Sequence, residues 1–296
     1  MCIRDSMDAV LVQAIINGLL LGGVYAAYSA GFSLIFGVMG VVNLAHGELI
    51  MLGAFTSYWL FQFFNLDPYF SAPFAMVFLF SFGYLVQRFI LNRVMGLPHI
   101  MSYILTFGLH LMVANIAIKI WTHDFRSITT SYSGANAAIL GLNIPYARLI
   151  TFVVALFVTW GLWFFLMKTE TGRAIRATAQ DKEVARLMGV DIRNIYAITF
   201  GLGAAITGLS GAVISPFVII SPEMGLEYTI IAFCVVVLGG MGYIPGALVG
   251  GLTLGVAQSL AATYLNAGVS VAITFIILFM MLVIRPTGIL GKGNIA

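Results

Sequence analysis

The sequence has little charge, and this limits the kinds of protein that it can encode. Only 8% of its 296 residues are charged, whereas 61% are hydrophobic. An ordinary soluble domain is about 25% charged and about 45–50% apolar. The 14 basic and 11 acidic side chains cannot cover the surface of a soluble 32.0 kDa fold. The composition excludes a soluble enzyme, a nucleic-acid-binding module and a disordered chain, and it predicts an integral protein of the lipid bilayer.

Cysteines and catalytic motifs are also scarce. Cys2 and Cys234 are the only cysteines, which excludes a disulfide scaffold and a cysteine-based metal site. No G-x-x-x-x-G-K-[ST] sequence occurs, so the chain cannot bind ATP through a P-loop. The four histidines lack the H-E-x-x-H spacing of zinc hydrolases. We therefore expect no catalytic residues, no metal and no cofactor, and a chain that is not an enzyme.

Long intervals without Asp, Glu, Lys or Arg divide the chain into membrane crossings. A helix of about 20 residues crosses the hydrocarbon core of a bilayer. We expect an all-α polytopic membrane protein, a single domain over 1–296, with about eight or nine transmembrane helices and glycine-broken segments. The charge-free intervals are 9–47, 49–66, 68–87, 94–118, 149–167, 194–222 and 228–284, the last of them broken at 239–246 and near Asn266.

Basic residues predict the orientation of this bundle. Segment 168–193 contains six Lys and Arg residues, and the positive-inside rule places it in the cytoplasm. Counting membrane crossings from this loop places the turns at 67–68 and 222–227 outside, together with the longest polar stretch, 119–148. The C-terminus lies inside.

The first interval leaves the side of the N-terminus open. If 9–36 is one crossing, the N-terminus lies outside; if 9–47 contains an extra or re-entrant pass, it lies inside. Residues 1–6 precede Met7, and our hypothesis is that they are a non-native extension.

The first candidate site interrupts the apolar N-terminal region with Asn43, His46 and Glu48. Ionisable groups at membrane depth are costly and usually face a cavity or a partner. Broken helices near the midplane are typical of transport pathways. These residues therefore predict part of a translocation path. The alternative is that His46 and Glu48 mark an interface between two spans.

The second candidate site is a glycine-proline run in the C-terminal half. Its residues Gly239, Gly240, Gly242 and Pro245 break the long apolar interval, so we also assign them to the translocation path. Glycines at four-residue spacing let helices approach closely in lipid. Simple helix packing is therefore the alternative, and we predict packing roles for Gly18, Gly22, Gly246 and Gly250.

The third candidate site is the cytoplasmic segment 168–193, which we interpret as a coupling loop. Thr171 is expected to cap one short helix and Asp181 a second, which Gly189 would end. Two amphipathic helices exceed what a tether between spans needs, so a docking surface with a basic rim at Arg173 and Arg176 is predicted. A solvated basic loop is the alternative.

At these three places the sequence resembles the inner-membrane permeases of bacterial branched-chain amino acid ABC importers, most closely the LivH-type subunit. The resemblance runs from about Ala9 to Gly291. Ala177, Ala179 and Gly189 are similar to the small residues of the EAA loop of ABC permeases, although its leading glutamate and later Leu-Pro are missing. The matching stretches are 17–26, Asn43 to Glu48, 176–181 and 239–251.

The resemblance implies the partners and the substrate. They are two ATP-binding subunits, a second homologous permease subunit and a periplasmic amino-acid-binding protein, with Leu, Ile or Val carried across the bacterial inner membrane. Two other functions stay open. One is an ion-coupled secondary transporter of small polar solutes, with Glu48 as its acid, and the other is an ABC permease for urea or short amides. A membrane enzyme would need paired acids or a metal cluster, and none is found.

Overall fold

The computed structural model describes residues 2–130, 132–139 and 142–291. Met1, the first residue of the suggested extension, lies outside the described residues, while the backbone of 2–6 belongs to the first helix. The elements are α1 (Cys2–Met39), α2 (His46–Phe64), α3 (Pro68–Phe89), a 3-10 turn (Leu91–Arg93), α4 (His99–Trp121), β1 (Asn136–Ile139), β2 (Leu142–Pro145), α5 (Tyr146–Lys168), α6 (Glu170–Gln180), α7 (Lys182–Leu187), α8 (Ile192–Ile214), α9 (Met224–Gly239), α10 (Ile244–Tyr264) and α11 (Ala267–Ile284).

The helices confirm the all-α membrane class. Six of them, α1, α3, α4, α5, α8 and α10, are long and apolar enough to cross a membrane, and α9 and α11 are shorter apolar helices. With the 19-residue α2, this agrees with the expected eight or nine. Large apolar side chains such as Phe157 and Trp160 of α5 point away from the bundle, with 67% and 60% of their surface exposed. A lipid-facing surface accounts for such a belt of exposed apolar residues.

The bundle has two opposite ends, which differ in the segments that they carry. We call the end that carries the antiparallel β1–β2 hairpin the hairpin end, and the end that carries α6 and α7 the basic end. The side-chain amide of Gln13 on α1 donates to the carbonyl oxygen of Asn143 and accepts from its N–H, at 2.8 and 2.9 Å. The other end of α1 reaches the basic end, where Gly37 contacts Gly242. Helix α1 is therefore a single uninterrupted helix that starts at the hairpin end.

Contacts between backbones hold the central helices together. Helix α10 runs antiparallel to α1, and a Cβ on Gly251 would lie 2.7 Å from the carbonyl oxygen of Gly22. On the same seam, a Cβ on Gly18 would lie 2.6 Å from the Cα of Val256. Little hydrophobic force acts between helices in lipid, so close packing of small residues takes its place.

Helix α8 occupies the centre of the bundle and is buried over most of its length. It packs against α1, α2 and α3, and the contacts again involve small residues. A Cβ on Gly31 of α1 would lie 2.6 Å from the carbonyl oxygen of Gly203, and one on Gly208 would lie 2.5 Å from Leu79 of α3. Helix α8 also lies directly against α2, where a Cβ on Gly53 would overlap the carbonyl group of Gly208.

We expect Gly246→Leu to destabilise the fold. A Cβ at this position would overlap the carbonyl group of Gly239 on α9, and overpacking usually costs about 1–3 kcal/mol. The measurement is thermal unfolding of the purified protein in nanodiscs. Gly161→Leu on α5 is the matched control, because no atom of the described residues lies within 4 Å of a Cβ there. Equal unfolding temperatures for the two variants would contradict the α9–α10 contact.

Candidate translocation and coupling sites

The first candidate site begins where α1 ends. Gly40 has φ +66, a left-handed conformation that glycine adopts without strain, and it ends the helix. The N–H of Gly40 still donates to the carbonyl oxygen of Phe36, and the chain then returns into the bundle over 41–45 in a non-helical turn. Within this turn, the Asn43 side-chain oxygen accepts from the N–H of Ala45 at 3.1 Å. Helix α2 therefore begins at His46 inside the bundle instead of at its surface.

His46 joins three helices at this point. Its Nε2 atom lies 3.0 Å from the carbonyl oxygen of Tyr28 on α1 and 3.3 Å from the hydroxyl of Thr207 on α8. Tyr28 is eleven residues before Met39, so the imidazole lies about 16 Å from the basic end of α1. The side chain is fully buried and packs edge-on against Phe32 at 5.0 Å. His46 therefore lies within the bundle.

Glu48, two residues further along α2, forms a buried pair with α4. Its Oε1 atom lies 2.8 Å from Nδ1 of His110, and Glu48 is 1% exposed. Three polar atoms in this cluster make no hydrogen bond with any described residue: Glu48 Oε2, Asn43 Nδ2 and His46 Nδ1. A cavity of about 10 Å³ lies beside Asn43 and Glu48, about the volume needed for one water. The structure therefore brings Asn43, His46 and Glu48 together as one buried polar cluster.

Helix α9 also begins at this cluster. The N–H of Gly47 donates to the hydroxyl of Thr229 at 2.8 Å, and a Cβ on Gly47 would overlap the carbonyl group of Gly225. A side chain at Gly225 would in turn overlap the Glu48 carboxyl group. The two breaks in the bundle, before α2 and before α9, therefore meet at one place.

The glycine-proline run lies elsewhere, at the basic end. Helix α9 ends at Gly239, Gly240 and Gly242 have φ +108 and +79, and Pro245 is in the first turn of α10. The N–H of Ile289 donates to the carbonyl oxygen of Leu238 at 2.7 Å. The structure therefore separates the two sets of residues that we had assigned to one path.

The four glycines for which we predicted packing roles all lie between helices. Gly18 and Gly22 of α1 face α10, and Gly246 and Gly250 of α10 face Gly239 on α9. Helix α10 thus contacts α1 on one side and α9 on the other.

The coupling segment forms two helices, but the predicted first cap is wrong. Thr169 caps α6, accepting from the N–H of Gly172 at 2.9 Å, whereas Thr171 lies inside the helix. The chain turns into α6 two residues earlier because the Thr169 hydroxyl also donates to the Phe165 carbonyl at the end of α5. The Asp181 side chain caps α7, and Gly189 follows it at φ +86.

The side chains of this segment divide into anchoring and exposed groups. Arg176 Nε donates to the carbonyl oxygen of Leu166 at 3.0 Å, so this arginine holds α6 against the end of α5. Arg173 is exposed and pairs with Glu170 at 3.4 Å. Ala177 and Ala179 are exposed on α6. At the far end of α7, Leu187 and Met188 are 86% and 80% exposed, an apolar tip that the sequence analysis did not single out.

The hairpin end is tied to α3 through Asp67. One Asp67 oxygen caps α3 by accepting from the N–H of Tyr69 at 2.9 Å, and the other accepts from the hydroxyl of Tyr132 at 2.7 Å. Burial and this hydrogen bond raise the pKa of Tyr132 well above its ordinary value. The phenol therefore stays protonated and keeps donating to Asp67 at physiological pH.

A cavity of about 750 Å³ between α1, α9, α10 and α11 was not predicted from the sequence. Tyr25, Gln258 and Thr274 line it, and none of the residues assigned to the translocation path does. Gln258 carries a signal that was available, because it is a strongly polar residue inside the charge-free interval 228–284.

The fold and these sites define a polytopic α-helical membrane protein of the transport class. The chain belongs to the family described as branched-chain amino acid transport system / permease component, whose model matches residues 14–285. It is 32% identical to the high-affinity branched-chain amino acid transport system permease protein BraD of Pseudomonas aeruginosa, over 96% of this chain and 97% of that one. It is 28% identical to the LivH proteins of Salmonella typhimurium and Escherichia coli K12, over 96% of each chain.

These matches confirm the resemblance to LivH-type permeases and the prediction that the chain is not an enzyme. Together with the helices, they support a multi-pass protein of the inner membrane. As a permease component of a transport system, the chain works with other subunits.

We expect Glu48→Leu to destabilise the protein more than Glu48→Gln. The amide oxygen of glutamine can accept the same hydrogen bond from His110, whereas leucine leaves a buried nitrogen unpaired, at a cost of about 1–3 kcal/mol. Thermal unfolding in nanodiscs measures the difference. Glu170→Leu, at a highly exposed surface pair, is the control and should change little. Equal losses for both Glu48 variants would mean that the bond to His110 is unimportant.

Proposed function

We propose that this chain is a transmembrane permease subunit of an ATP-driven importer that moves Leu, Ile and Val across the bacterial inner membrane. The observation that carries the proposal is the family match over residues 14–285, nearly the whole chain. The named function of relatives such as BraD, which match end to end, supports the substrate class. The proposed partners are two ATP-binding subunits, a second homologous permease subunit and a periplasmic amino-acid-binding protein.

The distribution of charge supports the orientation. In the described part of the chain, the basic end carries Lys or Arg at nine positions from Arg88 to Arg285, whereas the hairpin end carries four, namely Arg4, Lys119, Arg126 and Arg148. By the positive-inside rule, the basic end is cytoplasmic and the hairpin end is external. Segment 168–193 then faces the ATP-binding subunits, and 119–148 faces the binding protein.

Helices α6 and α7 suit a coupling role for two reasons. Arg176 fixes α6 to the end of α5, so that a push on α6 reaches a membrane helix directly. The exposed tip at Leu187 and Met188 offers apolar surface beyond the lipid-facing belt, which a protein partner would cover. The docking surface is therefore the α7 tip together with the exposed face of α6, including Arg173, Ala177 and Ala179.

The buried polar cluster suits a shaping role in transport. Asn43 holds the turn before α2, and His46 and Glu48 connect α1, α2, α4 and α8, so these residues set where the helices lie relative to one another. Gly239, Gly240, Gly242 and Pro245 would allow α9 and α10 to rotate at the cytoplasmic end. Both sets act on the geometry of the path.

We expect uptake of leucine to require ATP. The measurement is uptake into proteoliposomes that contain the assembled importer and its binding protein, with and without ATP and with and without a proton uncoupler. Glu48→Gln should retain ATP-driven uptake at a reduced rate. Uptake that needs no ATP and collapses with the uncoupler would instead identify an ion-coupled carrier.

We expect Leu187→Asp to weaken association with the ATP-binding subunits by about tenfold or more, because it would bury an unpaired carboxylate in the contact. The amount of ATPase that copurifies with the permease measures the effect. Leu97→Asp is the matched control, since Leu97 is 54% exposed at the same end but lies outside α6 and α7. Equal copurification for wild type and Leu187→Asp would remove α7 from the docking surface.

A further inference from the structure

The cavity of about 750 Å³ holds charges of both signs. Arg148 lies at the start of α5, and Glu223 and Glu227 lie at and just inside the start of α9. Glu223 pairs with His123 at 3.0 Å, and both side chains are exposed. Arg148 and Glu227 form no hydrogen bond or ion pair with any residue that the structure describes, so one cation and one anion remain available to a ligand in the same cavity.

The walls of the cavity are apolar. Six large aliphatic or aromatic side chains from α1, α9 and α11 line it, and its volume falls within the usual range of about 300–1,000 Å³ for small-molecule sites. They are Leu21, Leu226, Ile230, Ile231, Val271 and Phe275. A ligand without an apolar part would leave this apolar surface without a contacting partner.

A chain of polar side chains lies on the wall between α1, α10 and α11. The hydroxyl of Tyr25 donates to the Gln258 side-chain oxygen at 2.5 Å, and the Gln258 amide donates to the hydroxyl of Thr274 at 2.5 Å. All three residues are buried, with at most 8% of their surface exposed. They fix the relative positions of three of the helices that form the cavity, so the cavity is a defined site and not a gap between loosely packed helices.

From these observations we propose that the cavity binds the transported amino acid as a zwitterion. Arg148 binds the carboxylate, Glu227 binds the ammonium group, and the apolar walls take a branched aliphatic side chain. A ligand with one charge of each sign and an aliphatic body satisfies both free charges and covers the apolar surface. The inference rests on the proposed function, because it names the site at which that function would engage its substrate.

The test uses the full chain in phosphatidylcholine nanodiscs and three probes. They are L-leucine, leucinamide, which lacks the carboxylate, and 4-methylpentanoate, which lacks the ammonium group. Arg148→Gln should weaken binding of leucine and 4-methylpentanoate about tenfold and leave leucinamide unchanged. Glu227→Gln should weaken leucine and leucinamide and leave 4-methylpentanoate unchanged. Arg88→Gln, at an exposed arginine at the basic end, is the matched control and should bind all three probes as wild type does.

Equal effects of the Arg148 and Glu227 variants on all three probes, or no effect, would overturn the assignment. So would absence of leucine binding to the wild type at millimolar concentration. Phosphatidylcholine itself has a zwitterionic headgroup, so a second set of nanodiscs is made of phosphatidylglycerol, whose headgroup is only anionic. Unchanged leucine affinity there is expected, and leucine binding that appears or strengthens only without phosphatidylcholine would show that the cavity takes a lipid headgroup instead.

A second measurement leaves both charges in place. In a chain with Cys2 and Cys234 changed to alanine, Ala262→Cys places a thiol in the cavity lining, and leucine should slow its reaction with a charged thiosulfonate. Ser127→Cys, exposed at the hairpin end, should react at the same rate with or without leucine. No reaction at Ala262→Cys would mean that the cavity faces lipid and would overturn the proposal.

The two proposals fail in different ways. If the assembled importer shows ATP-driven leucine uptake but the Arg148 and Glu227 variants do not show the expected selective losses of binding for the three probes, only the binding site is wrong. If the probe pattern is present and uptake does not depend on ATP, only the proposed function is wrong.

Discussion

The structure depends on backbones approaching each other at glycines. Lipid offers little hydrophobic force to hold helices together, so stability has to come from close contact and from satisfied polar groups. The α1–α10 seam at Gly22 and Gly251, and the contact of Gly47 with Gly225, provide such contact. Because the helices are so close, two interrupted helices can start inside the bundle without opening it.

Much of the fold could be predicted from the sequence, because charge-free intervals and glycine breaks are local features. The breaks before α2 and α10, the caps at Asp181 and Gly189, and the membrane class all follow from neighbours in the chain. The predicted N-cap of α6 was wrong by two residues. The Thr169 hydroxyl donates to a carbonyl group of α5, and a local sequence pattern does not show this hydrogen bond.

The cavity and the buried pair could not be predicted because they depend on residues distant in the sequence. Tyr25 and Gln258 are separated by 233 positions, and Glu48 and His110 by 62. A lone polar residue in an apolar run indicates only that a partner exists. For the same reason, Asn43 and Gly239 could be assigned to one path from the sequence, although the fold places them at different depths.

The α1–α10 seam also has a consequence for how the protein is made. The ribosome delivers α1 to the membrane first, yet the surface of α1 that carries Gly18 and Gly22 receives its partner only when α10 has been synthesised. The hydrogen bond from Tyr25 to Gln258 forms equally late. Until α10 is inserted, the face of α1 that carries Gly18 and Gly22 lacks its protein partner in the bilayer. The packing of the first helix is therefore completed only by the last third of the chain.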